Sequence, residues 1–559
     1  LSVPETLHAS LMARLDRLGP ASKEIAQIGA VLGREFTYEL IESVAQRDRR
    51  ELDTALDQLR DAGLLFCRGT TPHSSYLFKH ALVQDAAYDM LLRGRRQELH
   101  ARVATALEQD SADIIERQPE ILAHHLTGAG DTERAVDQWL KAGRYAAARL
   151  SHLEAIAHFE RGLAALVPLT EGPDRDGREI ELQLARGLSL FTIQGFMSAE
   201  AAQAYMRASE LAEQRSVPRQ LFMAVYGLWQ SANGAGNILD CRRLSNRLQQ
   251  LTADNKDDEL RLQAHHSGWA TCLFLGEPTA ARAHCEVGRG LYDPERHRLH
   301  HRLYGGHDPG TCARNFDAQV HWILGYPDKG LALGSEALEL AERIAHPFSL
   351  ALALQYNSML LLDRGESELA LRQLELAEAL AAEQRLGLVL EPQLLRGAAL
   401  TAQGAFEEAI ACLRQGLAGP AGATRLRCYG FAMLADALTR QGKHEAAVEA
   451  AKDGLSTEAS TGHRQWKAEL HRLEGVALCA LNRPEEGQNA LEKAMHVARG
   501  QQAKAYELRA AMSLARLWYD QSKRHQARAL LAPVYSWFIE GLDTRDLKEA
   551  GALLGALVA

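Results

Sequence analysis

GAALTAQGAFEEAIACLRQG (Gly397–Gly416) and GVALCALNRPEEGQNALEKA (Gly475–Ala494) are one arrangement written twice. Each opens on a glycine; twelve residues on stands a second small residue, four further a leucine, and three further another small residue. The positions are Gly397, Ala409, Leu413 and Gly416 in the first copy, and Gly475, Gly487, Leu491 and Ala494 in the second. The same offsets recur at Ser358 with Ala370/Leu374/Ala377, at Ala435 with Ala447/Ala451/Gly454 and at Ala515 with Ala527/Leu531/Val534. The second members fall 39, 38, 40 and 40 residues apart. A period of this length marks a stacked array of one supersecondary unit. Offsets of three and four put residues on one helix face, so each period reads as two antiparallel helices. They cross closely where side chains are small, and the leucine one turn away fills the space beside the crossing. Such a unit buries only one face by itself, so its neighbours must stack on it. From Pro119 to the end about eleven units of roughly 40 residues fit, with irregular ones between Glu171 and Asp308. Turns are expected at Gly325-Tyr326-Pro327-Asp328, Gly404, Gly442 and Asn482-Arg483-Pro484.

The first 110 residues have a different texture. Leu7, Leu11, Leu15 and Leu18 share one face of a helix over Glu5–Leu18, which Gly19-Pro20 stops. Ser22 is the expected cap of a second helix with Ile25, Ile28 and Leu32, and Thr37 of a third with Leu40, Ile41 and Val44. A fourth runs from Arg49 to Ala62 with Leu52, Leu56 and Leu59 inward, and Gly63 ends it. Leu64–Cys67 and Ser75–Phe78 are short apolar runs joined by a polar loop with Gly69 and Pro72, which reads as a β-hairpin. Helix resumes over Lys79–Leu92 and Arg95–Gln109. The expected fold is therefore mainly α: a winged-helix-like module over residues 1–110, then an α-α superhelix of tetratricopeptide-like repeats over 111–559.

Hydrophobic residues make up 46% of the chain and charged residues 24%, the balance of a folded chain and not of a disordered one. A net charge of −9 gives no global attraction to nucleic acid or an anionic membrane. None of the eight cysteines sits in a Cys-x-x-Cys pair, which argues against a zinc knuckle or redox motif and suits a reducing cytoplasm. No apolar run approaches the roughly 18 residues of a membrane span, and no signal peptide is visible. Opening on Leu1 inside a helical pattern, the chain reads as the tail of a longer product.

Trp139, Gly143, Ala155, Phe159 and Gly162, with Pro168 close behind, resemble the tetratricopeptide signature, whose common period of about 34 is shorter than the one here. Further matching segments are LSVPETLHASLMARLDRL (Leu1–Leu18), IGAVLGREF (Ile28–Phe36), YLFKHALVQDAAYDMLL (Tyr76–Leu92), GGHDPGTCA (Gly305–Ala313), LGYPDKGL (Leu324–Leu331), HPFSLALAL (His346–Leu354) and LLAPVYSWFIEGLDTRDLKEA (Leu530–Ala550). On these the chain resembles the C-terminal half of bacterial proteins in which a class III adenylate/guanylate cyclase domain precedes a signal-transduction ATPase with numerous domains and a tetratricopeptide tail. The resemblance implies a regulatory sensor and protein-interaction arm. It places ATP or ADP on an upstream ATPase domain and a cyclase further upstream, with no cofactor in this chain. It also implies a cytoplasmic setting, a protein or small-molecule ligand in the superhelix groove, and a natural C-terminus at the end of the chain. The repeat region of an ATPase-type transcriptional activator and a free-standing scaffold stay open as alternatives.

Candidate residues divide by chemistry. In the wider ATPase family a winged-helix histidine within a Met-His-Asp motif senses the bound nucleotide. His80 stands at the matching place, although Ala81 replaces the aspartate; the alternative is a histidine that caps the wing against the next helix. The helix Arg49–Asp61 carries three arginines against four carboxylates, which argues against a DNA-reading face. His297, His300, His301 and His307 form the densest histidine group, but Arg296, Arg298 and Arg302 intervene, so no metal site is assigned. His124-His125 and His265-His266 point different ways on their helices and are expected at unit joints. The groove lining is expected from first helices of each pair, with Glu391, Glu469 and Arg472 as exposed examples. Gly442-Lys443 is followed by His444, so no phosphate-binding loop is present. There is no G-x-S-x-G elbow and no H-E-x-x-H, so no catalytic set is assigned and no enzyme activity is expected of these residues.

Overall fold

The computed structural model describes residues 5–110, 112–304, 306–384, 386, 390–419 and 426–558, with side chains over the same span except 5–10, 110 and 112–114. Leu1 and Gly305 of the matching segments, and the Leu7 side chain of the first apolar face, lie outside the described residues. The chain gathers into two compact units, residues 1–189 and 190–559.

In the first unit, helices Glu5–Arg17 and Pro20–Leu32 lead into strand β1 (Glu35–Thr37), helices Tyr38–Ala45 and Arg49–Asp61, strands β2 (Leu65–Arg68) and β3 (Ser75–Phe78), and helices Ala81–Asp89 and Arg93–Asp110. The sheet is antiparallel in the order β1-β3-β2, with Phe36 opposite Tyr76 and Leu65 opposite Phe78. Strand β1 is too short to show alternation in sequence. It forms because Phe36 enters the core and packs on the Tyr76 and Phe78 rings, 5.8 and 6.0 Å away between centroids. Thr37 caps the following helix, its Oγ1 accepting from Leu40 N at 3.2 Å. Ser22 is not a cap: Gly19 holds that position and Pro20 opens the helix, because proline's fixed φ and missing N–H suit a first turn. The Ser22 hydroxyl is buried and donates to Gln58 Oε1 at 2.5 Å. Ile25, Ile41, Leu52, Leu59 and Phe78 form the core with Leu99 and Val103. Those last two come from Arg93–Asp110, which also packs on helix Pro119–Ala129.

Helices Thr132–Ala148 and His152–Leu166 then form a close pair. Gly143 lies directly under the Phe159 ring, and a methyl group on Gly162 would stand 2.9 Å from Leu182 Cδ2. Ala155 and Phe159 are fully enclosed. Trp139 is buried, donates from Nε1 to Thr127 Oγ1 at 2.9 Å and stacks on His158.

The second unit is an array of such pairs. They include Asp258–Phe274 with Pro278–Leu291, Pro309–Ile323 with Pro327–Arg343, Pro347–Arg364 with Ser367–Gln384, Pro392–Ala402 with Phe406–Ala418, and Lys467–Ala480 with Pro484–Gly500. The crossings leave no room for a methyl group. One on Gly397 would stand 2.5 Å from Leu413 Cγ and 3.0 Å from Ala409 O; one on Gly416, 2.8 Å from Leu394 Cδ2; one on Gly475, 2.8 Å from Leu491 Cγ and 2.9 Å from Gly487 O. Gly487 meets the Cys479 sulfur and the Gly475 carbonyl from the other side. Gly404 and Gly442 close turns at φ of 83° and 85°, where a side chain would be strained.

Second helices bury one stripe, such as Ala370, Leu374, Ala377 and Ala381. First helices bury far more: in Pro309–Ile323 every residue except Arg314 is buried. The array winds so that a later turn returns against an earlier one. Pro309–Ile323 packs on helix Lys504–Asp520. Arg464 N donates to Phe274 O at 2.7 Å, Gly541 N to Asp328 Oδ2 at 2.8 Å, and Thr279 Oγ1 to Gln502 Oε1 at 2.6 Å, the last across 223 residues. Among the described residues no helix is long and apolar enough to cross a membrane.

Gly475→Ala is expected to destabilise the array by about 1–3 kcal/mol. The backbone oxygen beneath it cannot move, so the clash outweighs the roughly 1 kcal/mol helix-propensity gain. Urea unfolding followed by circular dichroism checks this, with the exposed Ser335→Ala as the neutral control.

Candidate functional site

His80 is exposed, adopts β geometry at the start of helix Ala81–Asp89 and makes no side-chain capping bond. Glu391 caps helix Pro392–Ala402, its carboxylate accepting from Gln393 N at 3.4 Å. Glu469 and Arg472 are not an exposed lining. They are sequestered and bonded to each other, Arg472 Nη2 to Glu469 Oε1 at 2.6 Å and Nε to Oε2 at 2.9 Å. The returning turn covers them. Its helix Lys504–Asp520 brings in Arg509, whose Nε donates to Asp546 Oδ2 at 2.6 Å and whose guanidinium lies 4.8 Å over the Trp322 ring. Arg509 Nη1 also stands 3.5 Å from Asp363 Oδ1 and 3.8 Å from Glu469 Oε1. Burial pushes the Asp363 carboxyl up to about 7; Arg509 opposes the shift, and Asp546 and Glu469 add to it. Arg545, whose Nε stands 3.5 Å from Asp546 Oδ1, opposes the shift as well.

The second unit also contains a small, partly open cleft with a cavity volume of about 40 Å³. Helices Pro218–Gly234, Asp258–Phe274, Pro309–Ile323 and Pro347–Arg364 supply most of its wall. Trp229, Phe316, Leu352 and Tyr356 give apolar surface, and Gln230 and Asn233 give amides. Trp229 is held by its Nε1, which donates to Thr271 Oγ1 at 3.0 Å. Apolar walls with a few fixed polar groups suit a small organic ligand or a peptide side chain.

His266, His307 and Cys312 line the same cleft and bring one donor atom each within 4.8 Å of one another. His266 Nε2 is 3.2 Å from His307 Nε2 and 3.4 Å from Cys312 Sγ. The other ring nitrogen, Nδ1, is 3.0 Å from Gln263 Oε1 and 2.9 Å from the Tyr226 hydroxyl. Trp269 stacks on the ring at 4.8 Å. Burial holds His266 well below the usual histidine range, so it is neutral. Asp308 positions the other two residues. Its Oδ1 accepts from Thr311 N at 2.7 Å and its Oδ2 from the Tyr292 hydroxyl at 2.8 Å. Pro309 opens the helix behind it, which sets His307 before the first turn and Cys312 within it.

The histidines grouped in sequence do not converge on one point, although the His297 and His300 rings meet edge to face at 4.6 Å. His297 bonds Asp293 O through Nδ1 and stacks on Tyr292; His300 bonds Gln263; His301 packs on His346. The sequence placed His266 with His265 at a unit joint but did not pair it with His307, 41 residues away, or with Cys312. Its neighbour His265 bonds His284 across the pair, while His125 bonds His100 at 2.9 Å in the first unit.

No family model matches the chain. Over 519 residues it is 28% identical to an uncharacterized protein of Rhizobium meliloti strain 1021, covering 91% of this chain and 50% of that protein. The chain thus spans about half the length of the curated relative it matches. Among solved structures it is similar to the APC/C hetero-tetramer Cut9–Hcn1, at 12% identity and TM-score 0.39 over 83% of this chain and 94% of that one. It is similar to a Rap protein complexed with competence and sporulation factor, at 12% identity and TM-score 0.38 over 76% and 99%. A Signal Transduction ATPase with Numerous Domains protein with a tetratricopeptide repeat sensor, from Pyrococcus horikoshii, aligns at 12% identity and TM-score 0.25 over 100% and 67%. The likeness is one of helical-repeat fold alone.

The Asp363 shift has a signed consequence. A carboxyl raised from its unfolded value near 4 to about 7 binds an extra proton when folded, so its contribution to stability falls as pH rises through that window. Asp363→Asn is expected to match the parent chain near pH 4 and to be the more stable of the two at pH 8. Parallel unfolding curves across that range would count against the assignment.

Proposed function

We propose that this chain is the sensor and interaction arm of a multidomain signalling ATPase. A small-molecule or peptide ligand occupies the cleft between Trp229, Phe316 and Tyr356. The observation that carries the reading is the cleft's wall, which is drawn from first helices of four pairs. A ligand there touches several repeats at once, so its binding energy biases how the array winds. The chain's array is a protein-interaction scaffold of helical repeats.

The N-terminal residues 1–110 act as a winged-helix-like relay to the upstream ATPase domain, where ATP or ADP binds, and the output is a purine nucleotide cyclase. What supports this is the family resemblance, together with the order helix, strand, helix, helix, strand, strand and its three-stranded sheet. His80, exposed beside the wing, is positioned to meet a nucleotide-binding neighbour. A relay role fits the charge pattern better than DNA reading does, since Arg47, Arg49, Arg60 and Arg95 are engaged with carboxylates.

In the full-length protein, deletion of residues 120–559 is expected to abolish the ligand response of its ATPase or cyclase turnover. Leu352→Trp, which fills the cleft, should do the same while circular dichroism stays unchanged. A response that survives both changes refutes the sensor reading.

A further inference from the structure

We propose that His266, His307 and Cys312 form a binding site for a thiophilic divalent cation of the zinc class. Two imidazole nitrogens and one thiolate are a donor set such a cation takes readily. The spacing fits as well. A tetrahedral zinc ion with nitrogen at about 2.05 Å and sulfur at about 2.3 Å holds its donors about 3.3 Å apart for N···N and about 3.6 Å for N···S. From His266 the corresponding distances here are 3.2 and 3.4 Å, and all three donor atoms lie within 4.8 Å of one another.

The surroundings of His266 add a second, independent argument. Gln263 Oε1 and the Tyr226 hydroxyl both reach His266 Nδ1, at 3.0 and 2.9 Å, and with the imidazole proton on Nδ1 the Nε2 lone pair faces His307 and Cys312. Gln263 is itself oriented, its Nε2 standing 2.9 Å from His300 Nδ1. A ligating histidine whose far nitrogen is tied to an oxygen is the usual outer support of a metal site.

Three protein ligands leave the fourth tetrahedral position open, and because all three line the cleft, that position lies inside it. On binding, Cys312 gives up its S–H proton to solvent and the two imidazoles remain neutral, so one proton is released per cation. The site stands whether or not the cleft serves as a sensor.

The purified chain, stripped with a chelator, is titrated first with cobalt(II) and then with zinc(II). One equivalent should bind with a thiolate-to-cobalt charge-transfer band that zinc abolishes, and calorimetry in buffers of different ionisation heat should count about one proton. Cys312→Ser should remove the band and weaken zinc binding at least ten-fold, and His307→Gln, a substitution at a half-buried position, should weaken it similarly. Gln263→Leu should keep the band and lose about 10–100-fold in affinity. His301→Ala and Cys285→Ser should change nothing. Absence of the band, its survival in Cys312→Ser, or equal weak binding by every variant, as surface histidines would give, overturns the proposal.

Discussion

Close crossing of paired helices is the constraint on which the rest of this structure depends. Two helix backbones approach within side-chain-free distance only where a glycine or alanine stands on each, and the leucine one turn away seals the gap. At Gly475 and Gly487 the two glycine carbonyls and chains face each other directly, so neither position has slack for even one carbon. Because each pair repeats the same crossing, the pairs stack in a regular way, and regular stacking is what lets the array wind.

Winding has an electrostatic consequence. When the helix Lys504–Asp520 returns against the earlier turn it closes over Glu469, Arg472 and Asp363, charged groups that a more open array would leave in water. Removing them from water is costly unless they are matched. Arg509 does the matching, bonded to Asp546 and near Glu469 and Asp363, with its flat face on Trp322. Asp363 is the least well matched of these carboxyls: burial, with Asp546 and Glu469 close by, pushes it up to about 7 against the pull of Arg509 and Arg545.

The cleft follows from the same winding at a place where the pairs are irregular. Helix Asp258–Phe274 carries His265 toward its own partner helix and His266 toward the interior, since adjacent residues on a helix diverge by about 100°. A single capping residue, Asp308, then sets the backbone that delivers His307 and Cys312 to the same point. The cleft's polar chemistry thus depends on one helix start and on one histidine from a different pair.

The helical periods, the small residues at crossings, the turn at Gly404 and the hairpin at Leu65–Phe78 were all legible in the sequence, because each arises from contacts within about 40 residues and leaves a fixed spacing. Strand β1 was not, since three residues carry no period and Phe36 is held by partners 40 and 42 positions away. Ser22 misled because local cap preference competed with a proline already suited to the first turn. The histidine cluster near residue 300 is more instructive: His297 and His300 stay in contact, while the fold sends His301 to His346 and His307 to His266. The sequence by itself therefore determined the repeating unit, through packing that is local. Only the tertiary structure decided that Glu469 and Arg472 would be buried and that His266 would meet His307 and Cys312. Both outcomes depend on how many small rotations accumulate between distant pairs, and no single period of the sequence encodes that sum.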